Sequence, residues 1–178
     1  YDVDANDWFY GAVKSAWENE LIDGVTARYF KPDSTLTVAQ AIKLAAALHQ
    51  KQSVGFVTLQ NGGTHWYDNY VNYAVANGLI EAAYQNKSAE DMNKAITRAE
   101  VCTIVNRTLG RKPSASHMKI SDRIDWPDVQ VTDWYYEAIM EATNSHTYQM
   151  GQRVETWNDK LPQRDWALLE TGWANAYT

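Results

Sequence analysis

Apolar residues recur along this chain at spacings of three and four, the mark of helices with one buried face. They do so in three rounds. Aligned on Trp8, Trp66 and Trp134, the chain places Val13, Val71 and Ile139 five residues on, and Ala16, Ala74 and Ala142 eight residues on. Fourteen residues on stand Ile22, Ile80 and Tyr148. Offsets of five and eight fall on one helical face. Each round therefore opens with a helix whose apolar stripe begins near the tryptophan.

A second landmark follows in each round. It reads Leu36-Thr37-Val38-Ala39-Gln40 in the first, Ile96-Thr97-Arg98-Ala99-Glu100 in the second and Leu161-Pro162-Gln163-Arg164-Asp165 in the third. Thr37 with Gln40, and Thr97 with Glu100, have the spacing of a capping box, in which the Thr hydroxyl accepts the third helical N–H and the longer side chain reaches back. Pro162 is an acceptable helix opener, since its missing N–H would be unpaired there. Apolar positions continue behind each landmark: Ala41, Leu44, Ala45 and Leu48; Val101, Ile104, Val105 and Leu109; Trp166, Leu169, Trp173 and Ala176. The pattern predicts an all-α chain of three helix–loop–helix units, residues 1–50, 64–110 and 123–178. Phe30, Met92 and Trp157 read as apolar plugs that pin each loop to the core, and Gly78 as a helix C-cap. The connectors, 51–64 and 111–122, are polar and carry loop signals, with a short extended segment expected over Val54 to Leu59.

Composition narrows the function classes. The chain has 178 residues, 45% of them hydrophobic, enough for one sizeable core. Its net charge of −6 gives no long-range attraction to nucleic acid or anionic membrane. No apolar run approaches the roughly 18 residues that mark a membrane span. The first residues, Tyr1 to Trp8, already belong to a motif, which points to a piece of a longer secreted protein. The single cysteine, Cys102, lies in an apolar run and reads as a small buried hydrophobe rather than a nucleophile. Eight Trp and eleven Tyr stand against three Phe, a bias toward side chains with one apolar face and one polar edge.

These landmarks resemble the S-layer homology repeat. The resemblance rests on Asp2-Val3, Trp8, Gly24, Phe30-Lys31-Pro32 and Thr37-Val38-Ala39-Gln40 in the first unit. The second supplies Trp66, Gly78 and an intact Thr97-Arg98-Ala99-Glu100, and the third Trp126-Pro127-Asp128-Val129 and Trp134. It implies one pseudo-threefold domain, a non-catalytic module that binds secondary cell-wall polysaccharide, often pyruvylated, in grooves between repeats on the outside of a bacterium. The site residues it implies are Arg98, Glu100, Asp2, Trp8, Asp128, Trp134 and Trp66. A carboxylate-bearing sugar suits an Arg fork, and sugar C–H faces suit exposed aromatic rings. Only the second unit keeps the motif arginine; Val38 and Gln163 stand at the other two positions, and Arg164 is one residue along.

Each candidate also has a structural reading. The three tryptophans could anchor their helices in the core. Asp2 and Asp128 could brace the preceding loop, and Glu100 could serve only as capping partner of Thr97. The rival to glycan binding is a diverged repeat module that binds protein or serves a purely structural role. Asp2-Val3-Asp4-Ala5-Asn6 has the opening spacing of a calcium loop but lacks its Gly and terminal Glu. The four histidines show no ligand spacing with one another or with Cys102. No metal, cofactor or catalytic set is expected.

Overall fold

The computed structural model describes residues 2–163, together with 165, 168 and 172. Within them lie six α-helices: α1 Tyr10–Glu18, α2 Val38–Val54, α3 Asp68–Ala76, α4 Ala89–Met92, α5 Arg98–Thr108 and α6 Tyr136–Thr143. Short 3-10 turns span Ala82–Asn86 and Ala115–His117. The helix expected behind the third landmark, with its stripe of Trp166, Leu169, Trp173 and Ala176 and the neighbouring Arg164, falls outside the described residues.

The all-α expectation fails at residues 146–160. Two antiparallel strands, β1 His146–Met150 and β2 Glu155–Lys160, stand where the helical pattern leads into a loop. Tyr148, which falls in register with Ile22 and Ile80, pairs instead with Trp157 across the hairpin. The local chemistry explains the switch. Thr147, Tyr148, Thr156 and Trp157 are β-formers, and along β2 Glu155 and Trp157 are buried while Thr156 and Asn158 are exposed. Gly151 closes the turn, its N–H donating to Val154 O at 2.9 Å.

Both capping boxes form. Thr37 and Thr97 each accept from the third helical N–H at 3.2 Å, while Gln40 and Glu100 take the cap's own N–H at 2.9 Å. The two landmarks also meet in space: Thr37 and Ala95 form an antiparallel bridge, with Val38 N donating to Lys94 O and Ile96 N to Leu36 O. This sets the starts of α2 and α5 side by side. Gly78 sits at a φ of +70° just past α3, where a Cβ would be strained. The extended segment expected over Val54 to Leu59 is absent: Val54 still belongs to α2, and Gln50 Oε1 clasps the backbone of Thr58 and Leu59 as a loop.

The main core joins α2, α3 and α5 around Ile42, Ala46, Tyr70, Val71, Leu79, Met92 and Ile104. Phe30 is half-buried; Met92 and Trp157 are buried, but Met92 ends α4 and Trp157 sits on β2 rather than in a loop. A smaller core gathers Met118, Tyr136, Met140 and Trp157 under the hairpin. The helix α1 buries only Gly11. Between α2 and α5 an apolar cleft remains, lined by Leu44, Leu48, Val105 and Leu109 among others.

Candidate functional site

The three aligned tryptophans do not anchor the core. Trp8, Trp66 and Trp134 are 72%, 37% and 69% exposed. Each lies in the turn before its helix, so the stripe that faces inward starts one residue later. The next residue, Phe9, Tyr67 or Tyr135, meets the indole edge to face with ring centres 5.5, 5.4 and 5.4 Å apart and planes crossed at 82°, 82° and 81°. The turn repeats as well: Asp7 and Asp133, just before Trp8 and Trp134, take the N–H three residues upstream at 2.7 and 2.8 Å. Those two aspartates were not singled out from sequence, although the shared Asp-Trp pair was there to be read.

One groove of about 460 Å³ combines several of the candidates. It runs between α5 and α6, walled by Glu100, Thr103 and Arg107 on one side and by Trp134, Glu137 and Ala138 on the other. Glu81, Tyr84, Arg111 and Lys112 close its ends. Arg107 is ion-paired with Glu81, and Tyr84 donates its hydroxyl to Glu100 at 3.4 Å. Burial, then the Glu100 charge, pushes the Tyr84 phenol up. The groove is thus an exposed indole facing a wall of paired charges, a surface that offers both an apolar platform and hydrogen-bonding groups.

The remaining candidates stand elsewhere. Arg98 opens α5, two positions and roughly 200° around the helix from Glu100, and does not line this groove. Asp2 braces the loop ahead of the first landmark, its two oxygens accepting from Phe30 N at 2.8 Å and Lys31 N at 2.7 Å. The Phe30 amide, more than any other group, holds its carboxyl below the ordinary carboxylate range. Asp2 also borders a separate surface hollow with Tyr10, Trp17 and Tyr29. Trp66 lies 5.9 Å from Lys43 Nζ, which also faces Tyr70 and pairs with Asp23. Asp128 is exposed in the loop before Trp134. Cys102 is half-buried, and burial raises its thiol above the usual range. The Asp2–Asn6 stretch is no calcium loop: Asp4 is spent on Asn6 N and Nδ2, and Asp2 on Phe30 and Lys31.

Beneath the far end of the groove lies a buried polar cluster that sequence reading missed. Arg111 follows α5, Glu141 lies in the last turn of α6, His146 opens β1 and Glu155 opens β2. Arg111 Nε donates to Glu155 Oε2 at 2.8 Å, and its guanidinium lies 3.8 Å from the Tyr148 ring centre. Burial pushes the Glu155 carboxyl up, and Arg111 only partly offsets this. Burial would raise Glu141 as well, but its polar neighbours, His146 first and then Glu155 and Arg111, outweigh it and hold that carboxyl low. His146 stacks on Trp157 at 3.9 Å. Residues so far apart in sequence carry no motif; only the late hairpin brings them together.

The comparisons with known proteins agree with the landmarks. Residues 1–42 match the model described as S-layer homology domain. This part of the chain is similar to S-layer homology domains. A surface-layer 125 kDa protein of Lysinibacillus sphaericus is 28% identical over 135 residues, covering 74% of this chain and 12% of that protein. Cell surface glycoprotein 1 of Acetivibrio thermocellus is 24% identical over 159 residues, covering 83% of this chain and 7% of its own length. An amylopullulanase of Thermoanaerobacterium thermosulfurigenes is 23% identical over 150 residues, or 80% of this chain and 8% of that enzyme. The chain thus spans a small fraction of each relative. An S-layer homology segment shared with surface-layer and cell-surface proteins places the chain at the bacterial cell surface, as a cell-surface anchoring module.

Proposed function

We propose that the chain is a non-catalytic module of three S-layer homology units, residues 1–50, 64–110 and 123–178, that holds a larger protein on the wall through secondary cell-wall polysaccharide. The observation that carries the reading is Trp134, 69% exposed and lining the groove between α5 and α6. An indole left in water at the start of a helix contributes little to folding, and it suits the C–H face of a sugar ring. Glu100, Glu137 and Arg107 supply hydrogen bonds to hydroxyls along the same groove. Arg98, exposed on the first turn of α5, offers a fork to a carboxylate such as a pyruvate ketal on the outward face. Trp8 with Asp2, Asp128, and Trp66 beside Lys43 extend the contact to the other units.

Sedimentation with purified wall sacculi tests the proposal. The chain pellets with walls that retain their secondary polysaccharide and stays in the supernatant with walls stripped of it. Trp134→Ala and Arg98→Ala each weaken pelleting while leaving the far-ultraviolet circular dichroism unchanged. A chain that remains in the supernatant with intact walls supports the rival reading, a diverged module that binds protein or serves structure alone.

A further inference from the structure

We propose that Glu141, His146 and Glu155 form a site for a divalent transition cation of the zinc class, at the position Arg111 Nη2 fills. The reason is a surplus of acceptors around one nitrogen. Arg111 Nη2 lies 2.5 Å from Glu141 Oε1, 2.9 Å from His146 Nε2 and 3.2 Å from Glu155 Oε1. A terminal guanidinium nitrogen carries two hydrogens. Three acceptors therefore compete for two donors, and Glu141 Oε1 is left beside the charge without an aligned hydrogen bond. The Glu141 side chain is 1% exposed and that of Glu155 fully buried, so no solvent makes good the deficit.

One ligand pair already has the spacing that a small tetrahedral ion needs. Two ligands each roughly 2.0–2.1 Å from such an ion stand about 3.3 Å apart. Glu141 Oε1 and His146 Nε2 are 3.4 Å apart. The three donor atoms all lie within 4.8 Å of one another. Their outer partners are in place too. His146 Nδ1 donates to Asn144 O at 2.7 Å, which leaves the Nε2 lone pair facing the cluster. Trp157 Nε1 donates to Glu141 Oε2 at 2.9 Å and fixes that carboxylate's orientation. Two carboxylates and an imidazole select zinc-like ions over calcium, which takes six to eight oxygens. Arg111 borders the open groove, with its side chain 19% exposed, so its guanidinium has a route outward across Tyr148, and water can enter from the groove as fourth ligand.

Calorimetric titration of the purified chain with zinc chloride at neutral pH, with the visible spectrum of cobalt(II) as a readout of tetrahedral geometry, decides the matter. One equivalent binds the natural chain, with no comparable uptake of magnesium or calcium. Arg111→Met removes the competing cation and tightens binding by about tenfold or more, since one neighbouring like charge shifts ionic affinities by one to three logarithmic units. His146→Gln and Glu155→Gln each abolish the cobalt band. The proposal is overturned if neither the natural chain nor Arg111→Met, both folded by near-ultraviolet circular dichroism, takes up zinc. It is equally overturned if uptake persists unchanged in His146→Gln and Glu155→Gln. Should Arg111→Met fail to fold, the contrast between the natural chain and His146→Gln still decides. None of these outcomes depends on wall binding.

Discussion

Trp134 and Trp157 show what a tryptophan's surroundings do to its role. Trp134 keeps 69% of its surface in water, whereas Trp157 keeps 3% and donates its indole N–H to Glu141. Replacing Trp134 with Ala should shift unfolding stability by no more than about 0.5 kcal/mol, as for most exposed sites. Replacing Trp157 with Phe retains the ring but strands a buried carboxylate oxygen, a loss of about 1–3 kcal/mol. Urea unfolding of the two variants measures the contrast, and equal losses would refute it. Asp2 gives a pH-linked counterpart. Its carboxyl is held low by the Phe30 and Lys31 amides, so the brace is present above the ordinary carboxylate range and is lost as pH falls through the lowered value. The amide resonances of Phe30 and Lys31 should titrate together below that range, and Asp2→Asn should remove the titration.

At the scale of elements, the helix starts were the most legible feature of the sequence. A capping box needs two residues at a fixed offset and satisfies donors within its own turn, so nothing distant has to be known. Thr97→Ala should cost about 1 kcal/mol, seen as an earlier thermal midpoint with unchanged helix content below it. The hairpin was not legible from the helical register because Tyr148 carries an apolar ring at the offset where Ile22 and Ile80 stand. Alternation in Glu155-Thr156-Trp157-Asn158 was the signal available, and it is muted because one of the two inward residues is a glutamate. The exposure of Trp8, Trp66 and Trp134 was hidden for a related reason. A large aromatic beside a helical stripe looks like its first member, and only the turn preceding the helix rotates it outward.

At the scale of the whole molecule, two cores of unequal size lie among the described residues. The larger belongs to α2, α3 and α5; the smaller, with four buried residues, supports the hairpin and α6. Met140 is fully buried in the smaller core, and Met140→Ala should cost about 2–5 kcal/mol. Because the cut falls in the minor core, the environment of Trp157 should be lost before helical dichroism fades, where the natural chain loses both together. Coincident transitions in the variant would show that the two cores behave as one. The groove proposed for wall polysaccharide draws its two sides from helices either side of that divide. The expected division into repeats rests on period alone, a signal that the buried cluster, formed by Arg111, Glu141, His146 and Glu155, does not offer. Its members come from one loop, one helix end and two strands, a combination without any fixed spacing.

The bridge between Thr37 and Ala95 has a consequence for biosynthesis. Leu36 O and the Val38 amide find their partners only at Ile96 and Lys94. At roughly 5–20 residues per second, a ribosome leaves the first landmark unzipped for several seconds after it has been made. During that interval the start of α2 has its own capping box and the packing of α3, but not these backbone partners. The box therefore serves as a placeholder in time, keeping the helix end formed until the second landmark arrives to dock against it.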